Sequence, residues 1–424
     1  MATTAKTVEV LFDSAVETYE HQEQMLSLVD YDQPDSGELQ NSLNIIHRPI
    51  QQHAPVLDGW DLTGQETDII EESVPLVLGT PKNDFVSQRA DDMRDLRFWE
   101  RRGKQSGKRQ STELNKLIAD AVRVQGSLFY RSNAANGYGF MSEGQAILNE
   151  RQTQTMDRHF VINDRDNQFY GQDLAARQTL QGRPEEVWKS GQIGQNIAEF
   201  DVHVASYLGN IAGGANPATT TTAAVSEKPE GFTHNATTGE LANIDYRTAT
   251  IAVTASAGYN VGDKVSFANG GTDVESVSLA DKSETGTAMT FTIVAKPTGT
   301  SVTIYPKPIA ADDAALTTLE KAYANINTQI TSGATMDRLN TDASAKSNIF
   351  FDSDSVCVLG GEIPAQLMAQ YDGMKVVSHT MANGQTMYMV YDGDIATMSF
   401  RYRIFTWYGV NVVNPSGCGV AVRF

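Results

Sequence analysis

One stretch constrains the fold of this chain more than any other: Asn83 to Gly126, which opens NDFVSQRADDMRDLRFWERR and closes TELNKLIADAVRVQG. Asp84 carries the short acceptor side chain that satisfies free amides at a helix start. Phe85, Ala90, Met93, Leu96 and Trp99 then recur at helical spacing, and the period resumes at Leu114, Leu117, Ile118, Ala121 and Val124. Gly126 suits the C-terminal stop. The spacing predicts a helix from Asp84 to Gly126, about 60 Å long at ~1.5 Å per residue, too long for one small core. Gly103 and Gly107 each cost about 1 kcal/mol against Ala in a helix, so a bend or break is expected there. The middle of the run is the most basic part of the chain: Arg97, Arg101, Arg102, Lys104, Lys108 and Arg109. Such a run is either a solvated helix face or a contact for an acidic neighbour.

The whole-chain balance favours the neighbour. The sequence has 424 residues and a formal net charge of -19. That charge argues against nucleic acid as a tightly held ligand, because phosphate binding is driven by cationic neutralisation. Length suggests about two to four domains, and 40% hydrophobic residues supply real cores. The only cysteines, Cys357 and Cys418, exclude a disulfide framework; the alternatives are a single bridge between them and, the expectation here, two buried free thiols in a reducing compartment. The start, MATTAKTVEV, lacks the pattern of a signal peptide, and no run approaches the ~18–20 apolar residues that span a bilayer. A soluble protein made in the cytoplasm, with no membrane contact, is expected.

Along the chain, Thr7 to about Val29 is an amphipathic helix with Leu11, Ala15, Tyr19 and Leu26 on one face. Its charges are acidic, Asp13, Glu17, Glu20 and Glu23 among them, which makes it either a solvated helix or an arm for a basic partner. Leu43 to Ile50 and Asp68 to Leu78 are strands of a long hairpin, with turn chemistry at Asp58-Gly59 and Thr63-Gly64 and Trp60 near the tip; it is either an arm with something to lie on or an ordinary edge hairpin folded over its own core. Gly137 to Gly139 form a loop, Ser142 with Gln145 caps the next helix, and Arg158 to Asn163 and Phe200 to Val204 are strands. Composition changes near Gly213. TATIAVTAS, DKVSFAN, VESVSLA, AMTFTIVAK and TSVTIYPKP then alternate as short strands of an inserted antiparallel barrel or sandwich. ALTTLEKAYANINTQI is helix followed by loop, and the C-terminal part is aromatic and strand-rich.

Sites of chemistry are missing from this pattern. There is no GxGxxG after a strand, P-loop, HExxH or GxSxG, and the seven histidines lack metal-ligand spacing. Asp91-Asp92 and Asp312-Asp313 are read as caps or surface carboxylates rather than metal ligands, and a His203–Cys357 thiol–imidazole pair has no support in spacing. Neither an enzyme nor a cofactor is expected.

At GWDLT (Gly59 to Thr63) and NDFVSQRADDMRD (Asn83 to Asp95) the chain resembles the major coat protein of short-tailed phages that infect enteric bacteria, of the Salmonella podovirus type. Further pieces agree in order: GRPEEVWKSG (Gly182 to Gly191), VGDKVSFA (Val261 to Ala268), YPKPIAADDAAL (Tyr305 to Leu316), KAYANINT (Lys321 to Thr328) and GDIATMSFRYRIFTWYGVN (Gly393 to Asn411).

The resemblance implies an α+β chain with the capsid fold of tailed phages and herpesviruses. It would comprise an N-terminal arm (residues 1–36), an extended hairpin loop (37–80), a peripheral domain with a spine helix and the first part of the axial domain (81–214), an inserted β-barrel domain (215–347), and the rest of the axial and peripheral sheets (348–424). It further implies hexamers and pentamers of an icosahedral shell. These would assemble as a procapsid with a scaffolding protein and a portal in the host cytoplasm, expand on maturation, and enclose double-stranded DNA without specific binding. Weak contacts suit such assembly: a millimolar contact is worth about 4 kcal/mol and exposed ion pairs ~0–1 kcal/mol each.

Subunit contacts are expected at Trp60, Asp61, Arg101, Arg102, Lys104, Lys108 and Arg109, and by charge pairing in the loop Thr233 to Tyr246 at Glu240 and Asp245. Asp13, Glu17, Glu20 and Glu23 would meet scaffold or a neighbour. Some relatives lock their shells through an isopeptide bond from an extended-loop lysine; no lysine lies between Lys6 and Lys82, so no crosslink is expected here. The competing reading is a binding module, with Ala215 to Ser347 as an adhesin or carbohydrate reader that does not form shells.

Overall fold

The computed structural model describes residues 2–34, 36–49, 55–63, 69–89, 95–132, 137–151, 157–169, 198–230, 237, 245–278, 281–342, 344–363, 375–394, 396 and 398–423. Ala90, Asp91, Asp92, Met93, Gly182 to Gly191 and Glu240 lie outside them. The chain divides into two compact units, one of residues Met1–Ile46, Leu76–Ala119 and Val356–Asn411, the other of His47–Pro75, Asp120–Ser355 and Val412–Phe424. The helices named below are α1 (Ala2–Gln22), α2 (Ser36–Asn41), α3 (Leu96–Gln125), α4 (Gly137–Glu150) and α5 (Thr318–Lys321).

In the first unit, Lys82–Arg89 is a strand, not the start of the long helix. It closes a four-stranded antiparallel sheet, pairing with Ser399–Thr406 from Lys82↔Thr406 to Arg89↔Ser399. Exposure alternates along it, with Phe85 on the open face at 67%. The helical spacing of Phe85 with later apolar residues is therefore coincidental. A partner strand more than 300 residues away decides the local structure, since strand preference is set by pairing and packing. Asp84 is not a cap; Asp95 takes that role, its carboxylate accepting the Arg97 amide at 3.0 Å.

From Leu96, α3 runs unbroken to Gln125, and Gly126 follows it as expected. The expected break at Gly103 and Gly107 is absent, and both glycines receive α1. A Cβ on Gly103 would strike the Ser14 hydroxyl and the Leu11 carbonyl; one on Gly107 would strike the Ala15 carbonyl and lie 3.1 Å from the Tyr19 nitrogen. Gly allows this close backbone approach. Leu11, Ala15 and Tyr19 are fully buried, as the amphipathic pattern requires. The helix stops at Gln22, short of Val29. There buried Asn115 donates to the Gln22 carbonyl at 3.1 Å and accepts from the Met25 amide at 3.1 Å. The chain continues through a 3-10 turn (Leu26–Leu28) into a strand, Asp30–Asp32, parallel to Val356–Gly360.

In the second unit, strands Leu128–Ser132, Cys418–Arg423, Ala345–Asp352, Arg158–Asn163 and Asp201–Ala205 lie side by side in that order. Against them α4 buries Phe140, Met141 and Leu148 in one cluster with Tyr130, Phe160 and Phe350. The helix begins at Gly137, so the expected loop at Gly137 to Gly139 is its first turn. Ser142 is not a cap: its hydroxyl donates to the Gly139 carbonyl at 3.0 Å from within the helix. Gly144 sits under Tyr130, whose ring atoms would stand 3.1–3.6 Å from a Cβ, so burial offsets the low propensity of these glycines.

All five short strands expected beyond Gly213 form. Ala249–Ala252, Ser301–Tyr305, Phe291–Thr298, Lys264–Asn269, Thr335–Arg338 and Thr219–Thr220 make an antiparallel sheet in that order, with Glu275–Val277 paired separately. The ends of that order meet through the Thr221–Val253 bridge. Alternation places Ile251, Val265, Phe267, Phe291, Ile293, Val302, Ile304 and Met336 in one buried core. Of the helix expected after Ala315, only the turn α5 is present, with a full capping box of Thr317 and Glu320. Cys357 and Cys418 are buried free thiols.

Candidate functional site

The candidate contact residues fall on three features. The first is the face of α3. Arg97, Arg101, Lys104, Lys108 and Arg109 are exposed. Arg102 is not part of that face: its guanidinium holds both Asp84 oxygens at 2.7 and 2.8 Å and the Tyr402 hydroxyl at 3.1 Å. Lys104 pairs with Glu100 at 2.6 Å on an open surface, a contact worth little to stability. That hydrogen bond raises the lysine pKa, and Glu17 of α1 adds to the shift through space.

Of the acidic residues on and just after α1, two accept hydrogen bonds within the chain. Glu20 accepts the Ala382 amide at 3.4 Å and Glu23 accepts the Asn383 side-chain amide at 2.6 Å. Burial raises the Glu23 pKa. Tyr19 donates to Gln385 at 2.7 Å. Asp13 and Glu17 point outward.

The second feature is the hairpin. Ile45–Pro49 and Ser73–Val77 pair as its stem, starting later than Leu43 because Leu43 and Asn44 both take positive φ. Its outer part exposes Val56 (93%) and Trp60 (107%), next to Asp58 and Asp61. Asp61 braces the turn, accepting the Thr63 amide at 3.1 Å and hydroxyl at 2.6 Å, which lowers its pKa. On the returning limb, Ile70 packs against the cluster of Ile309, Ala322 and Tyr323, and the Tyr323 hydroxyl donates to the Ile70 carbonyl at 2.9 Å. The hairpin therefore has a fixed stem and an apolar, acidic outer part.

The third feature is the base of the loop that ends at Tyr246. Asp245 is not free for charge pairing. Both its oxygens accept from Arg247, at 2.9 and 3.0 Å, and the Tyr305 hydroxyl donates to it. Arg247 also donates to the Val412 and Val413 carbonyls. Burial alone would raise the Asp245 pKa; Arg247 and Tyr305 outweigh it and hold the carboxyl below its ordinary value. The two-residue spacing of Asp245 and Arg247 was the sequence signal for this pair.

Sequence reasoning also missed Lys264. It is fully buried, and its ammonium donates to the Val124 and Gly126 carbonyls at the end of α3 and to Thr292 at 3.0 Å. It thereby satisfies carbonyls that a helix end leaves open. Burial, aided by Arg123 and opposed by Cys418 and Asp263, brings its pKa down to about 7. No pattern marks it: a lysine at a strand start ordinarily faces water.

Of the chemical candidates, Asp91-Asp92 lies outside the described residues. Asp312 accepts the Gln329 amide at 2.9 Å and Asp313 the Ala315 amide at 2.8 Å. The ring beside His203 is His159, 5.7 Å away, while Cys357 is buried in a strand of the first unit. No cluster of three metal-ligating side chains, and no helix long and apolar enough to cross a membrane, occurs among the described residues.

α3 thus presents an exposed basic run, the hairpin an exposed tryptophan, and Asp245 and Lys264 are bound within the fold. The chain belongs to the P22 coat protein family: the family model described as "P22 coat protein - gene protein 5" matches residues 1–423. It is a phage major capsid protein, a component of the virion whose copies assemble into the shell, and the α+β capsid fold expected of it stands. Among solved structures, that of Mycobacterium phage Che8 is 12% identical, covering 93% of this chain and 89% of that one with a TM-score of 0.43. The capsid of Cyanophage P-SCSP1u is 10% identical over 94% and 86%, with a TM-score of 0.45. The mature capsid of bacteriophage PhiM1 is 10% identical over 93% and 85%, with a TM-score of 0.43.

Proposed function

We propose that this coat protein forms the hexamers and pentamers of an icosahedral procapsid. Scaffolding protein and a portal guide assembly in the host cytoplasm, and the shell expands as double-stranded DNA is packaged. The five-part division at residues 36, 80, 214 and 347 describes its working parts. The carrying observation is the hairpin: a stem held at Ile70 and an outer part that exposes Trp60 beside Asp58 and Asp61. An exposed tryptophan on a braced projection gains by burial against another chain. The cationic face of α3 supplies the opposite charge on a second copy, and the exposed Asp13 and Glu17 of α1 are left to meet scaffold or a neighbour. Net acidity keeps the inner wall from gripping DNA that must move during packaging.

The test is negative-stain microscopy with sedimentation of the chain made alone and with its scaffolding protein. Closed shells of uniform size are expected with scaffold, and Trp60→Ser should lower their yield. A monomer in both preparations at high concentration would overturn the proposal.

A further inference from the structure

In the second unit a cavity of about 320 Å³ lies between Leu128–Ser132, α4 and the turn that joins Glu284–Ala288 to Phe291–Thr298. Its walls are mainly apolar, with Phe129, Ile147 and Leu339 among them. Arg151, directly after α4, also lines it and is only 5% exposed. Its terminal nitrogens donate to the Met289 sulfur at 3.0 Å and, weakly, to the Ala288 carbonyl at 3.4 Å. Its Nε meets no acceptor among the described residues. Glu150 acts on it only through space, because that carboxylate accepts the Thr287 hydroxyl at 3.2 Å. Burial lowers the Arg151 pKa to about 10, which leaves the group charged at neutral pH. A thioether is a poor acceptor, so among the described residues this buried cation has no hydrogen-bonded counter-ion. On the same wall, the buried hydroxyl of Thr290 also has no partner among the described residues.

We propose that this cavity is a binding site for a small amphipathic monocarboxylate, with the carboxylate on Arg151 and Thr290 and the apolar body between Phe129, Ile147 and Leu339. The volume sits at the lower end of ligand pockets, ~300–1,000 Å³. At ~30 Å³ per water-sized group it holds about ten such groups, the size of octanoate. Phosphate fits less well: the other guanidinium on the wall, Arg131, is held by Asp342 at 2.7 and 3.0 Å, and the Thr287 hydroxyl by Glu150 at 3.2 Å.

Titration calorimetry of octanoate into the full-length subunit, and into assembled shells, tests the site. Saturable binding at one site per subunit is expected, with octan-1-ol at least tenfold weaker. Ile147→Trp fills the cavity from a partly exposed wall and leaves Arg151 in place; it should abolish binding. Thr290→Val, which changes no charge, should weaken it severalfold. Failure of octanoate to saturate, equal binding of octan-1-ol, or unchanged binding to Ile147→Trp would each overturn the proposal.

Discussion

Replacing Gly107 with Ala separates two physical accounts of α3. In an open helix the change stabilises by about 1 kcal/mol, because Gly has more backbone freedom to lose. Here the new Cβ would meet backbone: the Ala15 carbonyl, its carbon at 3.1 Å, and the Tyr19 nitrogen at 3.1 Å. Backbone of a packed helix cannot swing aside as a side chain does. Either α1 lifts, exposing part of the buried surface of Leu11, Ala15 and Tyr19, or strain remains. Overpacking of this kind costs roughly 1–3 kcal/mol. Set against the propensity gain, the net expectation is a loss of about 1–2 kcal/mol. The assay is urea unfolding of the monomeric subunit by circular dichroism, where such a loss lowers the midpoint by roughly 0.3–0.6 M, since a chain of 424 residues has an m-value of about 3 kcal/mol/M or more. Gln105→Ala, on the exposed face of the same helix, is the control and should change little. Gly103→Ala should act in the same direction but not additively, since one displacement of α1 relieves both contacts. A Gly107→Ala protein stabilised by about 1 kcal/mol would refute the crossing as described.

Four other outcomes follow from the same structure. The stability difference between the wild type and Lys264→Met should shift in favour of the wild type as pH rises from about 7 toward 10.5, because the unfolded lysine then binds a proton that the folded one does not. A flat difference in pH-resolved denaturant midpoints would refute the lowered pKa of the buried lysine. Asp245→Ala should destabilise the monomer by about 3–5 kcal/mol by leaving Arg247 buried without its partner; the wild-type contribution should fade as pH falls below 3.8, toward the depressed folded value. Full monomer stability combined with defective shells would instead assign Asp245 to a contact between subunits. Burial, with Asp354 adding and Arg158 opposing, raises the Asp352 pKa to about 7, so its ionisation weakens the fold as pH rises from 3.8 to about 7; Asp352→Asn should gain on the wild type across that range in thermal melts. Mature particles should run as monomer on a denaturing gel, because the extended loop has no lysine, and a covalent ladder would contradict this.

Elements whose identity rests on their own residues were legible in the sequence. The run Arg158–Asn163, with Phe160, Val161 and Ile162 at its centre, is buried along its whole length and is a strand; the alternating segments beyond Gly213 are strands; Leu114 and Ile118 are buried on one face of α3. Collinear motifs gave the family, which no single element could. For the contact surfaces, the sequence identified the exposed tryptophan and the cationic run but could not tell outward from inward charges. Arg102 and Asp245 are read as contact residues until Asp84, Tyr402, Arg247 and Tyr305 are seen around them.

What the tertiary structure decided concerns groups whose partners lie far along the chain. Lys82–Arg89 has the spacing of a helix start, yet it is a strand because Ser399–Thr406 supplies a complete ladder. Gly103 and Gly107 look like weak points, yet they admit α1. Lys264 looks solvated, yet it closes the end of α3. Local propensities differ by about 1 kcal/mol or less per residue. A hydrogen-bonded ladder, a buried helix crossing or an unmet charge outweighs them, and each depends on a distant segment that local pattern does not encode.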